Sequence, residues 1–491
     1  MNQFSIDMHC HPAMKPFGKS FSTKKVGENS TNRHHKTSIW FYDPPNPLER
    51  LLQRLLGLVK FTQCDFTTLS NGKVRCICAS IYSIERSFVR LNTGTGVLTD
   101  FISNLASSLG KDRINFLQSN KDYFSDVENE YDFYLQLHNK EIKFGNIKRK
   151  YVLIKSYTDL QEAMMLNEDK TEVETVYVIM SIEGLHNLNA GNGDTPDEVE
   201  VLDNLRKMKS WTYRPFYVTF AHHFYNELCG HAETMSDFFQ DLMTRQEPGM
   251  NTGFTPLGRK VMKEVLDNTD GNRMLIDIKH MSYLSRTEYI NYLKTEHAAE
   301  YARKEIPLII SHGACNGMQS RDNPNATPGL EYTASRMYSA DINFYDDELL
   351  EVVRSGGIIG LQLDERRIAS KQYKKSLRLE LASDSARKHS NSKMLWNNIR
   401  HIVELLDMHD MFAWDNIAIG SDNDGMIDPM NMFWTSGDMD ALVQYIERHA
   451  FNYFNDPETK LKNSYNRIDP SEVIQRIFHS NSMEFFRKYF K

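Results

Sequence analysis

Cysteine is scarce in this chain, with six in 491 residues, at positions 10, 64, 76, 78, 229 and 315. So few and so scattered, they exclude a disulfide-held scaffold. Basic charge is not in excess either: 58 Lys+Arg against 65 Asp+Glu leave a net charge of −7, which argues against a nucleic-acid scaffold with its basic face. No apolar run reaches the roughly 18 residues that cross a bilayer. The opening MNQFSIDMHCHP lacks a basic stretch followed by an apolar core, so no secretory leader is expected and a reducing cytoplasm is the default. In that setting Cys76 and Cys78 of VRCICAS read as reduced thiols on one face of a strand. The sequons at Asn29 and Asn325 read as chance. No repeat of about 20–50 residues is visible, which excludes solenoids and propellers.

What is present is a recurring unit. Short apolar runs end in a polar or charged residue and are followed by longer helical patterns. The runs are FSIDMHCH (4–11), VRCICASIY (74–82), TVYVIMSIEG (175–184), FYVTFAHH (216–223), RMLIDIKH (273–280), PLIISH (307–312), GGIIGLQLD (356–364) and DNIAIGSD (415–422). Near-continuous apolar runs are strands buried on both faces, hence a parallel sheet with helical crossovers. Eight such units predict an α/β fold of the (β/α)8 TIM-barrel type, a single domain over 1–491. Insertions fall at about 18–60, 119–150 and 365–400. Residues 18–38 are polar and read as a mobile loop, 119–150 as an added helix, and 365–400 as a long loop plus helix. The segment 469–490 is amphipathic and should close the outside of the barrel.

In such barrels catalytic residues sit at the C-terminal ends of strands. Those ends supply Asp7, His9, His11, Glu183, His222, His280, His312, Asp422 and Asp424. A lone strand-end histidine is usually structural, but four strands ending in His with others in Glu and Asp would converge on one mouth. Imidazole and carboxylate together suit Zn2+ and similar divalent ions. His9 and His11 are two apart, so on a strand both rings share a face and can reach one ion. Glu183 can bridge two ions, with His280 and His312 holding the second. Two ions so placed would activate a water for attack. Lys279 should point away from His280, which argues against a carbamylated-lysine bridge.

The motifs resemble those of the membrane (renal) dipeptidase family of zinc metallopeptidases, within the amidohydrolase-like barrels. IDMHCHP resembles its I-D-x-H-N-D, SIEGLHNL its V-E-G, FYVTFAHH its L-T-H, and GFTPLGRKVMKEV its G-L-T-x-x-G. LIDIKHMS resembles its D-x-x-H-x-S, IISHG its F-S-H-S, IAIGSDNDGM its I-G-x-D-F-D-G, and the closing IQRIFHSNSMEFF its G-x-N-x-x-R. These cover 1–18 and roughly 175–490 in family order, while 19–174 match poorly. The resemblance implies a metal-dependent dipeptidase with two Zn2+ per chain and a dipeptide or small amide substrate. It places metal one on His9, metal two on His280 and His312, and Glu183 between them. His222 would stabilise the oxyanion, and Asp422 would be the acid/base, with Asp424 as the alternative. His11 stands where the family has Asp, so it is read as a ligand of altered charge. Arg321, in SHGACNGMQSRDNP, is the candidate for the substrate carboxylate, with Arg366 or Arg367 as substitutes. The family often dimerises, so a homodimer is consistent with the resemblance. Two other readings stand beside this one: a barrel of the same kind acting on another amide, ester or lactone, and a catalytically silent binding barrel.

Overall fold

The computed structural model describes residues 4–21, 27–57, 59–91, 94–168, 172–235, 246–377 and 382–491. Among them, ten strands form one sheet. They are β1 Ser5–Cys10, β2 Val74–Ile81, β3 Ile142–Phe144, β4 Ile147–Ile154, β5 Val173–Glu183, β6 Tyr217–Thr219, β7 Leu275–Asp277, β8 Ile309–Gly313, β9 Ile358–Leu361 and β10 Ile417–Ile419. β1, β2 and β5 to β10 are parallel neighbours in chain order, one on each apolar run. The ring closes where Asp422 N donates to His9 O and His11 N donates to Asn423 O, both at 2.9 Å. This is the (β/α)8 barrel expected.

Alternate residues explain why the runs are apolar throughout. Ile6, Cys76, Tyr177, Tyr217, Leu275, Ile309, Ile358 and Ala418, one from each barrel strand, share a buried cluster that fills the lumen. Their neighbours Ile77, Val178, Val218, Ile276, Ile310, Ile359 and Ile419 belong to the cluster under the helices. Cys76 and Cys78 both face the lumen as free thiols.

The ends and insertions depart from expectation in three places. The terminal segment forms helices Pro470–Gln475 and Asn481–Tyr489 joined by a π-helical turn, Arg476–Ser480. It floors the lumen rather than covering the outside. Phe485, Phe486 and Phe490 enter the lumen cluster, with rings 5.0–5.8 Å from Phe216. Residues 27–40 are not a loose loop. Asn29 is buried and its side chain donates to Phe133 O at 2.9 Å and accepts from Ile39 N, which also removes that sequon from solvent; residues 22–26 lie outside the described residues. Finally, β3 and β4 form a hairpin that the apolar-run reading passed over, and β4 runs parallel to β5. Its two-residue turn Gly145-Asn146, flanked by short alternating segments, was the available signal.

The added helix between β2 and β5 is Tyr123–Leu137, as expected. Residues 365–400 are largely helical, with Glu365–Ile368, Lys371–Leu377 and the long helix Asp384–Met408, capped by Ser383; 378–381 lie outside the described residues. No described helix is long and apolar enough to cross a membrane.

The floor can be tested. Phe486 is fully buried, so Phe486→Ala should cost about 3–5 kcal/mol in chemical denaturation, as for other large ring deletions in cores. A loss below about 1 kcal/mol would mean the terminal helix is not part of the cooperative barrel.

Candidate metal centre

Seven side chains meet above the C-terminal ends of the strands. His9 lies in β1 with His11 just past it, Glu183 ends β5, and His312 lies in β8. His222, His280 and Asp422 each come three residues after a strand end, at Thr219, Asp277 and Ile419. The apolar pattern carried those strands up to the ligands; the structure ends them earlier. His280 and Asp422 then adopt left-handed φ of 65° and 60°. Such backbone at non-glycine residues costs of order 1 kcal/mol or more, and it turns these side chains back over the lumen. In β1 and β8, register shifts between Asp7 and Cys10 and between Ile310 and Gly313 break strict alternation. That lets the successive residues Ser311 and His312 both face the site.

Two glycines belong to the same construction. Gly184 has φ of 80°, and a Cβ there would lie 2.3 Å from His186 Nδ1 and 2.9 Å from His222 Cβ. A Cβ on Gly425 would lie 1.9 Å from Asp422 Oδ1. The E-G and D-N-D-G motifs are thus steric requirements of the site.

Glu183 is the hub. Its Oε1 lies 3.4 Å from His9 Nε2, 3.3 Å from His280 Nε2 and 3.4 Å from His312 Nε2; its Oε2 lies 3.2 Å from His11 Nε2 and 3.5 Å from His222 Nε2. His9 and His11 approach Nε2 to Nε2 at 3.1 Å, and so do His280 and His312. Metal–nitrogen bonds of 2.0–2.1 Å in a tetrahedron put neighbouring ligand atoms about 3.3–3.4 Å apart. Glu183 Oε1 with His280 and His312 has the edges of such a tetrahedron, while His9 and His11 meet the same carboxylate through Oε1 and Oε2, so both triads share Glu183. Asp422 Oδ1 borders the first, 3.5 Å from His11 Nε2 and 3.9 Å from His9 Nε2. The residues suit the binding of a divalent metal.

The far side of each ring is also fixed, and this sets which nitrogen is available. His11 Nδ1 lies 2.9 Å from Ser80 O, a pure acceptor, so Nδ1 carries a proton and Nε2 faces Glu183. His222 Nδ1 donates to Glu85 at 2.8 and 2.9 Å. His9 and His312 share the hydroxyl of Ser311. His280 Nδ1 alone has no hydrogen-bond partner among the described residues.

Electrostatics follow from crowding buried groups around one carboxylate. Burial would raise Glu183, but the imidazoles of His222, His9 and His11 overcome it and hold the carboxyl well below the usual range. Burial opposes the charged ring of His11, yet Glu183 and Asp422 push it up to about 10. His280 is driven down to about 3, chiefly by burial, and His312 well below the ordinary histidine range for the same reason. Neutral His280 and His312 offer lone pairs ready for a cation. Burial raises Asp422.

The remaining candidates sort cleanly. Asp424 accepts from Gln63 N and Cys64 N, both at 2.9 Å, and pairs with Lys15 at 2.9 Å, so it is spent on holding the loop. Asp7 accepts from His9 N at 3.2 Å and from Ser421 N and Oγ at 2.8 and 2.5 Å, buttressing both ends of the ring closure. His186 and His223 are hydrogen-bonded loop residues, to Ser83 O at 2.7 Å and Thr234 Oγ1 at 2.6 Å. Arg321 faces outward, its guanidinium paired with Asp341 and 5.6 Å from the Tyr283 ring. Arg366 is paired with Asp364. Arg367 donates to Thr234 O, and after burial its charge is the largest influence lowering Lys279, to about 7, which places it beside the mouth.

Three polar residues of the site were given no role from the sequence: Glu85, and Asp277 and Ser311, which stand in the quoted motifs. Asp277 and Ser311 are polar interruptions of the apolar runs LIDIKH and IISH. Glu85 lies four residues past the end of β2, one residue further than His222, His280 and Asp422 lie past theirs. A cavity of about 1010 Å³ lies elsewhere, at the N-terminal end of the barrel near Leu275, Ile358 and Tyr489, away from all of these groups.

No family model matches the sequence, and a search of curated proteins gives no match. Solved structures do resemble the fold. A metallopeptidase from Rhodobacter sphaeroides, liganded with a phosphinate mimic of the dipeptide L-Ala-D-Ala, aligns over 99% of this chain and 99% of its own at 12% identity and a TM-score of 0.50. Dipeptidase AC, a metallopeptidase, aligns over 100% and 99% at 12% identity and a TM-score of 0.49. The probable dipeptidase PvdM from Pseudomonas aeruginosa aligns over 87% and 89% at 14% identity and a TM-score of 0.47. The chain has the barrel fold of the first of these.

Because Glu183 belongs to both triads, Glu183→Gln should leave the barrel folded but strip bound divalent metal, since a neutral amide cannot offset two dications. Elemental analysis beside circular dichroism checks this. A variant that keeps wild-type metal content would reduce Glu183 to a structural residue.

Proposed function

We propose that this chain is a metal-dependent hydrolase that cleaves dipeptides or closely related small amides, using two divalent ions. The observation that carries the reading is the pair of ligand triads sharing Glu183 at the C-terminal mouth of the barrel. His9, His11 and Glu183 would hold one ion, and Glu183, His280 and His312 the other. A nitrogen-rich set with one bridging carboxylate favours zinc. The motif resemblance, and the barrel shared with a metallopeptidase that binds a dipeptide mimic, favour a peptide bond over an ester or lactone.

Two such ions, when bound, would lower the pKa of a water between them and polarise the scissile carbonyl. His222 is braced by Glu85 and directs Nε2 into the cage. Its Nε2–H would donate to the carbonyl oxygen as negative charge grows there. Asp422 would take the attacking water's proton as the C–O bond forms, then deliver it to the amine nitrogen as the C–N bond breaks. Arg367 would hold the substrate's free carboxylate, since Arg321 and Arg366 are engaged by Asp341 and Asp364.

A panel of dipeptides, N-blocked amides, esters and lactones assayed with zinc-loaded and chelator-treated protein tests the reading. Dipeptide cleavage lost on chelation is expected; turnover of lactones or esters alone would move the chain to another substrate class. Within that assay, Arg367→Lys should lower kcat/KM for free dipeptides by about 1.5–3 kcal/mol, the usual strength of hydrogen bonds to charged groups. It should spare C-terminally amidated dipeptides, which lack the charge to be held. Equal losses on both substrates would remove Arg367 from carboxylate binding.

A further inference from the structure

One hydroxyl sits between the two halves of the candidate centre. Ser311 Oγ lies 2.8 Å from Nδ1 of His312 and 3.2 Å from Nδ1 of His9, and the two rings stack over it with centroids 3.8 Å apart and planes 30° from parallel. His9 belongs to one triad and His312 to the other. On its remaining side Ser311 Oγ lies 2.5 Å from Asp277 Oδ2. Asp277 also accepts from Thr219 Oγ1 at 2.9 Å, Lys279 N at 3.0 Å and Ser311 N at 3.1 Å. Four donors converge on this carboxylate, so it is an acceptor throughout.

The proton assignments then follow by elimination. Ser311 has a single hydroxyl proton, and Asp277 takes it. The two lone pairs of Ser311 Oγ are left for the rings, so His9 and His312 must each carry a proton on Nδ1 and present a lone pair on Nε2. Those are the nitrogens that face Glu183 at 3.4 Å. Outer partners of this kind fix the tautomer and orientation of metal-binding imidazoles. Here one partner does so for ligands of both ions.

We propose that Ser311, oriented by Asp277, is a shared positioning residue that couples the two metal half-sites, so that occupancy of one ion prepares the other. The ring of His9 cannot tilt without disturbing the hydrogen bond to His312, because both end on the same oxygen. The other candidate ligand of each ion has no such link: His11 leans on Ser80 O, and His280 Nδ1 has no hydrogen-bond partner among the described residues. This inference rests on the metal-centre reading above.

Zinc titration of metal-stripped protein against a competing chelator tests it, with wild type, Ser311→Ala and His11→Ala compared. Ser311→Ala should weaken both binding steps by about 10–100-fold, the range for loss of an outer hydrogen-bond partner. His11→Ala should act mainly on one step. If the alanine variant does not fold, Ser311→Cys, which keeps the volume and weakens the hydrogen bonds, carries the same expectation. A purely structural serine would lower the melting temperature of the metal-free protein and leave both zinc affinities in place. Weakening of one step alone, or of neither, overturns the coupling. Wild type that takes up no second ion overturns the metal-centre reading, and the coupling with it.

Discussion

Burying a carboxylate is costly unless opposite charge or hydrogen-bond donors surround it. Glu183 is buried at the mouth of the barrel, and five imidazoles point their Nε2 atoms at it from four other strands or the turns beyond them. No arrangement of neutral rings alone would repay that desolvation. The proposed cations shared between the carboxylate and the rings would, and the ring spacings suit a metal coordination shell. The left-handed turns at His280 and Asp422, the bulges in β1 and β8 and the glycines at 184 and 425 are all local departures from ideal barrel geometry. Each brings a side chain to Glu183 or clears space beside it.

Rigidity comes from below and from outside. The lumen under the site is packed with one side chain per strand and floored by aromatic residues of the terminal helix. A ring of acids and hydroxyls braces the histidines: Asp7 and Ser421 at the closure of the barrel, Asp277 and Ser311 under His9 and His312, Glu85 behind His222. A site built this way keeps its donors pointed inward whether or not ions are present, which lowers the reorganisation needed when they bind.

The barrel was legible because apolar runs buried on both faces leave a signal that needs no partner information. All eight strands of the barrel ring fall on such runs, and the candidate ligands were legible for the same reason, as polar residues at the ends of those runs. The β3–β4 hairpin was not, because charged residues interrupt its apolar ones and β3 is only three residues long, so neither strand forms a continuous apolar run. Residues such as Glu85, Asp277 and Ser311 were also given no role. They act through another side chain, and their partners come from other strands, so spacing along the sequence carries no trace of the pairing. Arg321 shows the converse limit: its place in a motif suggested the substrate, and only the fold shows Asp341 beside it.

The central claim is that Glu183 stands between two cations. Crystals grown with zinc and measured at the zinc absorption edge test it directly through anomalous scattering. Two peaks about 3.5–4 Å apart, flanking the Glu183 carboxylate with His9 and His11 on one and His280 and His312 on the other, are expected for a two-metal centre. A single peak, or none within bonding distance of Glu183, would contradict the account.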